Sequence, residues 1–374
     1  MTNDELMSKT ISYLRFPLTL GVLYIHATGC LTMQGTKYGE MESSEWYNFI
    51  IDIFSYMLPC ISVPLFFMIS GFLFFYKTDF DANTYRKKLK KRAVTLLIPY
   101  LIWNVLSILK TLMSALPFLS SFSFNASYKI DFSLSSFLMC FWDQNRDMFI
   151  TPDIDGVDIG DAIYPINLPM WYVRDLMVIV ILAPVIYILI KRLKWWFLLI
   201  LCILWYLPFK WGYISQLYTA LFFVSLGAYF SISDKNIVYE LRKLKYIPCI
   251  YIIIVIIDLC TKQFEYNFYI YKTCILFGIV AAVNITSSLL ERGKIRVNEF
   301  LASSAFFVYA FHSFIEGGIG RGIFIYLMNK SENEYLMILL YFIVPIITAV
   351  ICLATYKLIK TYCPRMGSII TGGR

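Results

Sequence analysis

The stretch Ile11–Cys30, ISYLRFPLTLGVLYIHATGC, is an apolar run interrupted by one cation, Arg15, and one imidazole, His26. A run of this length crosses the roughly 30 Å hydrocarbon core of a bilayer as a helix. The same reading extends to runs near 48–76, 93–116, 171–190, 195–209, 212–232, 246–261, 268–290, 298–316 and 335–358. The expected fold class is therefore all-α, a polytopic membrane helix bundle of about ten transmembrane helices. Composition agrees: 59% of the 374 residues are hydrophobic and only 16% charged, with a mean hydropathy of +0.65. A soluble domain needs more polar surface than that. The 18% aromatic content suits helix ends at headgroup level, where Trp and Tyr rings are favoured. Trp46, Trp103, Trp171 and Trp211 are read mainly as such belt residues.

Orientation follows from Lys and Arg, whose excess lies in short cytoplasmic loops. The 77–92 loop holds Lys77, Arg86, Lys87, Lys88, Lys90, Lys91 and Arg92, and every second connection after it is also basic. The intervening connections are acidic or mixed, with Glu40, Glu42 and Glu45 in 31–47 and seven aspartates in 117–170. Both termini are thus expected to be cytoplasmic. Residues 1–374 are expected to form one integral membrane domain with an outer loop at about 117–170. Nothing at the N-terminus reads as a cleaved signal peptide, so the first run is expected to remain as a helix. The fifth and sixth runs, separated by Lys210 and Trp211, read as a tight hairpin or a re-entrant feature.

Topology accounts for the net charge of +8, which therefore implies no nucleic-acid partner. The spacing Asp153, Asp155, Gly156, Asp158 lacks the closing Glu of a calcium loop. The nine cysteines include no Cys-x-x-Cys pair, and neither a metal-ligand set nor a disulfide framework is read from them.

Chemistry concentrates on the two histidines of the chain, His26 and His312, both inside apolar runs. An ionisable side chain in a membrane helix is costly unless hydrogen-bonded or wetted, which makes it a functional-site candidate; the plainer reading is a tie between helices. Arg15 and His26 are about 16 Å apart along a helix but only about 20° apart around it, so they share a face. Pro17 and Gly21 lie between them and are capable of bending it. His312, on the ninth run, falls at about the depth of His26, so the two imidazoles are expected to line one cavity. Tyr309 and Glu316, three before and four after His312, stand on its side of the helix. Glu316 either orients the imidazole or sits in water at the helix end.

A histidine that takes a proton near neutral pH activates a hydroxyl for acyl transfer, and a fixed cation suits a phosphate-bearing donor. Arg15 and the 86–92 cluster, with Lys88, Lys91 and Arg92, supply such cations, although topology alone also explains a basic loop. Ser70 reads as a packing residue, because Ser-Gly pairs let helices approach closely. Arg174 and Asp175, adjacent and so on different faces, read as separate interfacial anchors.

Arg15, ten intervening residues and His26 in a first membrane helix resemble the Arg-x10-His signature of the acyltransferase-3 family of bacterial membrane O-acyltransferases. Further matches follow in order: Val63-Pro-Leu-Phe-Phe-Met-Ile-Ser-Gly-Phe72, the basic segment ending in Arg92 before Pro99 and Tyr100, Pro169-Met-Trp-Tyr-Val-Arg-Asp-Leu176, and Ser304-Ala-Phe-Phe-Val-Tyr-Ala-Phe-His312. The resemblance implies transfer of an acyl group, most often acetyl, to a hydroxyl of a cell-envelope glycan or lipid-linked sugar. The donor would be cytoplasmic acyl-CoA, with acetyl-CoA as co-substrate and no tightly bound cofactor, and the site would be the inner (cytoplasmic) membrane. His26 would be general base or transient acyl carrier. Arg15, Lys88, Lys91 and Arg92 would hold donor phosphates, and Trp171 would stack on the sugar. The alternative is a transporter or flippase of a glycan intermediate, for which the sequence lacks paired halves.

Overall fold

The computed structural model describes residues 1–31, 44–114, 129–150, 163–208, 212–331 and 333–373. Within them, each of the ten apolar runs is helical. The helices are α1 (Asn3–Cys30), α2 (Glu45–Phe75) and α3 (Ala82–Ser114), the short α4 (Leu134–Met139), α5 (Trp171–Ile181), α6 (Ala183–Leu193) and α7 (Trp195–Tyr206). They continue with α8 (Gly212–Ile232), α9 (Ile237–Arg242), α10 (Ile247–Cys260), α11 (Asn267–Glu291) and α12 (Glu299–Ile315). Last come α13 (Arg321–Met328), α14 (Glu334–Tyr362) and α15 (Pro364–Thr371). A two-residue antiparallel ladder pairs Lys129–Ile130 with Phe149–Ile150.

Among the described residues α2, α3, α11 and α14 are each long and apolar enough to cross a membrane, and Leu168–Ile181 with Ala183–Leu193, bent by 63°, is either a fifth, broken span or a re-entrant pair. Helices α7, α10 and the Gln216–Ile232 part of α8 are apolar but shorter. Helix α1 is long enough, but Arg15 and His26 lower its hydropathy. The chain is a multi-pass membrane helical protein.

Two expectations change here. The fourth apolar run is two helices rather than one, broken at Leu182, with Pro184, which has no amide hydrogen to donate, in the first turn of α6. The basic 77–92 segment is not a loop beyond Asp81: the Asp81 carboxylate accepts from the Thr84 amide at 2.6 Å, capping a helix that runs through Lys88, Lys91 and Arg92. It continues through a π-helical turn, Ala93–Leu97, into the third span. The connection around Lys210 and Trp211 and the Asp153–Asp158 spacing lie outside the described residues, as do Glu40 and Glu42.

Helix α1 is central, packing on α12, α11, α14 and α2. Its stripe Leu6, Thr10, Leu14, Leu18 and Val22 is buried at four-residue spacing, the period that keeps side chains on one face. Pro17 lies inside the helix without ending it. Helices α2 and α8 approach to backbone contact: a Cβ on Gly71 would lie 2.1 Å from the Val224 carbonyl oxygen, and one on Gly227 would lie 1.9 Å from that of Met68. This is the Ser-Gly packing anticipated from the sequence, carried by Gly71 rather than Ser70.

The stretch that leads into α5 is packed among helices. Asn167, 1% exposed, donates its backbone amide to the Asn104 side-chain oxygen at 3.1 Å. Its own side chain donates to the Ala310 carbonyl at 3.3 Å and accepts from Ser313 at 3.1 Å. Arg174 and Asp175 are not interfacial anchors but a buried ion pair at 2.9 Å, with Arg174 also donating to the Trp142 carbonyl at 2.7 Å. The Arg174 side chain folds back along the helix, which the difference in backbone direction between neighbours does not forbid. Trp103 is not a belt residue either: it is buried, and its indole donates to the Ile370 carbonyl at 3.0 Å.

Candidate active site

The two imidazoles meet. Helices α1 and α12 bring the rings of His26 and His312 to 5.3 Å between centroids, in keeping with a common depth, but neither imidazole is on the wall of the cavities described below, which the expectation of a shared cavity lining had required. His312 is fully buried, and its Nδ1 lies 2.7 Å from the Tyr309 carbonyl and 3.3 Å from that of Val308. A ring nitrogen beside a carbonyl oxygen has to donate, so the proton of the neutral ring belongs on Nδ1. Nε2 is then left as the basic nitrogen, and it is buried with no hydrogen-bond partner among the described residues.

On the side of Tyr309, 6.4 Å from His312 between ring centroids, a cavity of about 250 Å³ opens, lined among others by Arg15, Thr19, Ser70, Arg92, Tyr172 and Tyr309. Two guanidinium groups from α1 and α3 thus face one space. Tyr309 is held by donating its hydroxyl to the Pro169 carbonyl, and Tyr172 shares a 3.0 Å hydrogen bond with Ser70. Ser70 therefore belongs to the cavity wall as well as to a packed helix. A second hollow, about 290 Å³, is lined by Lys88, Lys91 and Arg92 together with Leu73 and Thr95. Arg92 and Leu73 are common to both spaces.

All four candidate donor cations, Arg15, Lys88, Lys91 and Arg92, thus border one of two adjoining cavities. Trp171, the candidate sugar platform, is not on the wall of either; it packs its ring 6.3 Å from Phe67 and 6.4 Å from Tyr164. Glu316 is not in water at a helix end. It is 1% exposed, its amide donates to the His312 carbonyl, and both carboxyl oxygens are buried without a hydrogen-bond partner among the described residues. It opens the π-helical turn Glu316–Gly320, a local irregularity of a kind that often marks functional positions.

Sequence reasoning missed Tyr172 and Thr19 as cavity residues and gave Ser70 only a packing role. For Thr19 the signal was available: it lies one helical turn beyond Arg15 on the same face.

The described helices thus enclose two arginines around one cavity and a pair of imidazoles in contact nearby. Residues 9–357 match the family model described as an acyltransferase domain. The chain belongs to this acyltransferase-3 family and is an O-acyltransferase, which decides between the enzyme and the transporter readings. It is similar to the succinoglycan biosynthesis protein ExoH of Rhizobium meliloti (strain 1021), with 24% identity over 394 aligned positions covering 99% of this chain and 94% of that protein. No solved structure matches.

Proposed function

We propose that this protein moves an acyl group, acetyl by preference, from cytoplasmic acyl-CoA to a hydroxyl of a cell-envelope polysaccharide or its lipid-linked precursor. The observation that carries this reading is the His26–His312 contact beside a cavity walled by Arg15 and Arg92. The relative's role in the biosynthesis of succinoglycan supports a polysaccharide acceptor.

The site is the cytoplasmic membrane, the ten helical runs cross it, and both termini lie on the cytoplasmic side, as the alternation of basic connections requires. Arg15, Lys88, Lys91 and Arg92 hold the donor phosphates, and its flexible arm carries the thioester toward the histidines. His26 accepts the proton of the acceptor hydroxyl as that oxygen attacks the thioester carbonyl; the carbon–sulfur bond breaks and the thiolate takes the proton back. In the two-step version the imidazole itself carries the acyl group between donor and acceptor. Tyr309 forms the wall between the Arg15 cavity and His312, with His312 and Glu316 buried in the interior.

The test is mass analysis of surface polysaccharide from cells lacking the protein, complemented with wild type or His26→Ala. Wild type is expected to restore ester-linked acyl mass and His26→Ala to leave it absent. Full restoration by His26→Ala removes the catalytic assignment. Loss of the glycan from the surface at unchanged mass points to transport instead.

A further inference from the structure

Lys110 carries a positive charge on the apolar face of a membrane span. It lies in α3, beside the exposed Leu106, Leu109 and Met113, and is itself exposed. Its ammonium sits 5.3 Å over the Phe314 ring and has no hydrogen-bond or ion-pair partner among the described residues. A cation at hydrocarbon is costly unless an anion meets it, so this position calls for one. The alternation of basic connections does not account for it, because Lys110 lies about 25 Å along α3 from the start of the third apolar run, far from the 77–92 cluster.

The histidines stand at a similar level: His26 lies about 22 Å along α1 from Ile11. It is part-exposed yet on the wall of neither cavity described above, so its exposed edge opens elsewhere. Gly29, three residues on and so on the same side of α1, is exposed, and an added Cβ would meet nothing within 4 Å. The π-helical turn Glu316–Gly320, which packs on α1, is equally bare. Gly318 also has nothing within 4 Å, and the nearest atom to a Cβ on Gly317 is the Lys110 ammonium at 4.0 Å. Arg321 ties the two elements together by donating to the Cys30 carbonyl at 2.9 Å, and the Cys30 thiol, one turn beyond His26, lies in the field of both Arg321 and Lys110. Glu316 is buried at the start of the turn and presents no charge at this surface.

We infer that this opening admits the acceptor, and that Lys110 binds the phosphate through which the acceptor sugar is joined to its lipid. This rests on the acceptor and orientation proposed above, and narrows the acceptor to the lipid-linked precursor. A phosphate at Lys110 forms a charge-assisted bond at the edge of the bilayer. The lipid tail then stays in hydrocarbon along Leu106, Leu109 and Met113, while the sugar extends over Gly317, Gly318 and Gly29 toward His26. A polymer already freed from its lipid has no group that must lie at the lipid boundary, so it makes no use of a cation placed there. Bulk phospholipid headgroups share the phosphate chemistry, and the experiment separates the two.

Binding is measured by calorimetry on the purified full chain in phosphatidylcholine nanodiscs, with farnesyl diphosphate as probe and farnesol as its uncharged control. Wild type is expected to bind the diphosphate in preference to farnesol, Lys110→Gln to weaken it about tenfold, and Lys110→Arg to stay within about threefold. Coenzyme A affinity is expected to stay within about twofold in Lys110→Gln, because the donor uses the opposite end of the bundle; an equal loss for coenzyme A overturns the proposal. So does failure of wild type to prefer the diphosphate to farnesol. Displacement of the probe from wild type by added phosphatidylglycerol makes Lys110 a headgroup anchor and also overturns it. In cells lacking the protein, ester-linked acyl mass is then read on lipid-linked sugars extracted from the membrane. Wild type and Lys110→Arg are expected to restore it, whereas Lys110→Gln, and Gly29→Phe, which fills the opening, restore less than about a tenth. Full restoration by Lys110→Gln, or acyl mass found only on polymer freed from lipid, overturns the proposal while leaving the acyl transfer intact. Absence of acyl mass from both fractions with wild type present overturns the function proposed above instead.

Discussion

Replacing Gly71 by Ala tests the helix crossing that flanks the cavity of Arg15 and Arg92. The added Cβ would stand 2.1 Å from the Val224 carbonyl oxygen, whereas ordinary van der Waals contact begins at 3.4 Å, so α2 and α8 have to separate by about the difference, 3.4 − 2.1 = 1.3 Å. Gly227→Ala demands 3.4 − 1.9 = 1.5 Å against Met68. The obstacles are backbone atoms, which no rotamer change relieves, and overpacking of this kind costs about 1–3 kcal/mol. Ser70, Ile69 and Leu73 flank Gly71 and line the cavity, so the displacement reaches the donor site as well. We expect each substitution to lower the unfolding temperature in detergent and to raise the donor KM. The double substitution is expected to be less than additive, because one separation accommodates both methyls. Gly29 is the control: it lies in α1 with nothing within 4 Å of an added Cβ. Gly29→Ala should stabilise by about 0.5–1 kcal/mol through helix propensity. An unfolding temperature for Gly71→Ala at or above that of wild type, or a Gly29→Ala loss as large, would refute the crossing as described.

Three further outcomes are expected. Removing one partner of the buried pair, by Asp175→Asn or Arg174→Met, strands the other charge and should cost about 3–5 kcal/mol, whereas Arg174→Met with Asp175→Leu should recover much of the loss; equal instability of single and double variants in thermal melts would contradict this. His26→Gln and His312→Gln should each reduce turnover by about 100-fold or more if both imidazoles take part in proton transfer, and a His312→Gln enzyme within threefold of wild type would confine that role to His26. Next to the two-residue ladder, burial lifts the Asp147 carboxyl from 3.8 to about 6, against the opposing hydrogen bond from the Phe149 amide. The folded state therefore holds its proton to higher pH than the unfolded chain, so the stabilisation is full below about 4 and is lost as pH rises through 6. Hydrogen-exchange protection factors for residues 129–150 should fall across that window and become flat in Asp147→Asn; protection that is constant or rises in wild type would count against the buried placement.

The sequence by itself determined the helices, because a membrane helix announces itself through length and apolarity alone, and no partner is needed to satisfy its backbone. It also determined the shared level of His26 and His312, since depth in a bilayer is counted along the chain from where each helix enters. What it did not determine was contact. The Arg174–Asp175 pair was misread because backbone direction separates neighbouring residues while a long guanidinium arm folds back across that separation. Trp103 was read as an interface residue because its hydrogen-bond acceptor, the Ile370 carbonyl, is 267 positions away. Tyr172 carries no periodic signal of a cavity, and the Ser70 hydroxyl it bonds is 102 positions away. Periodicity and hydropathy are local properties and can be read along one dimension, whereas a cavity is a relation among side chains brought together by packing, which exists only after the helices have met.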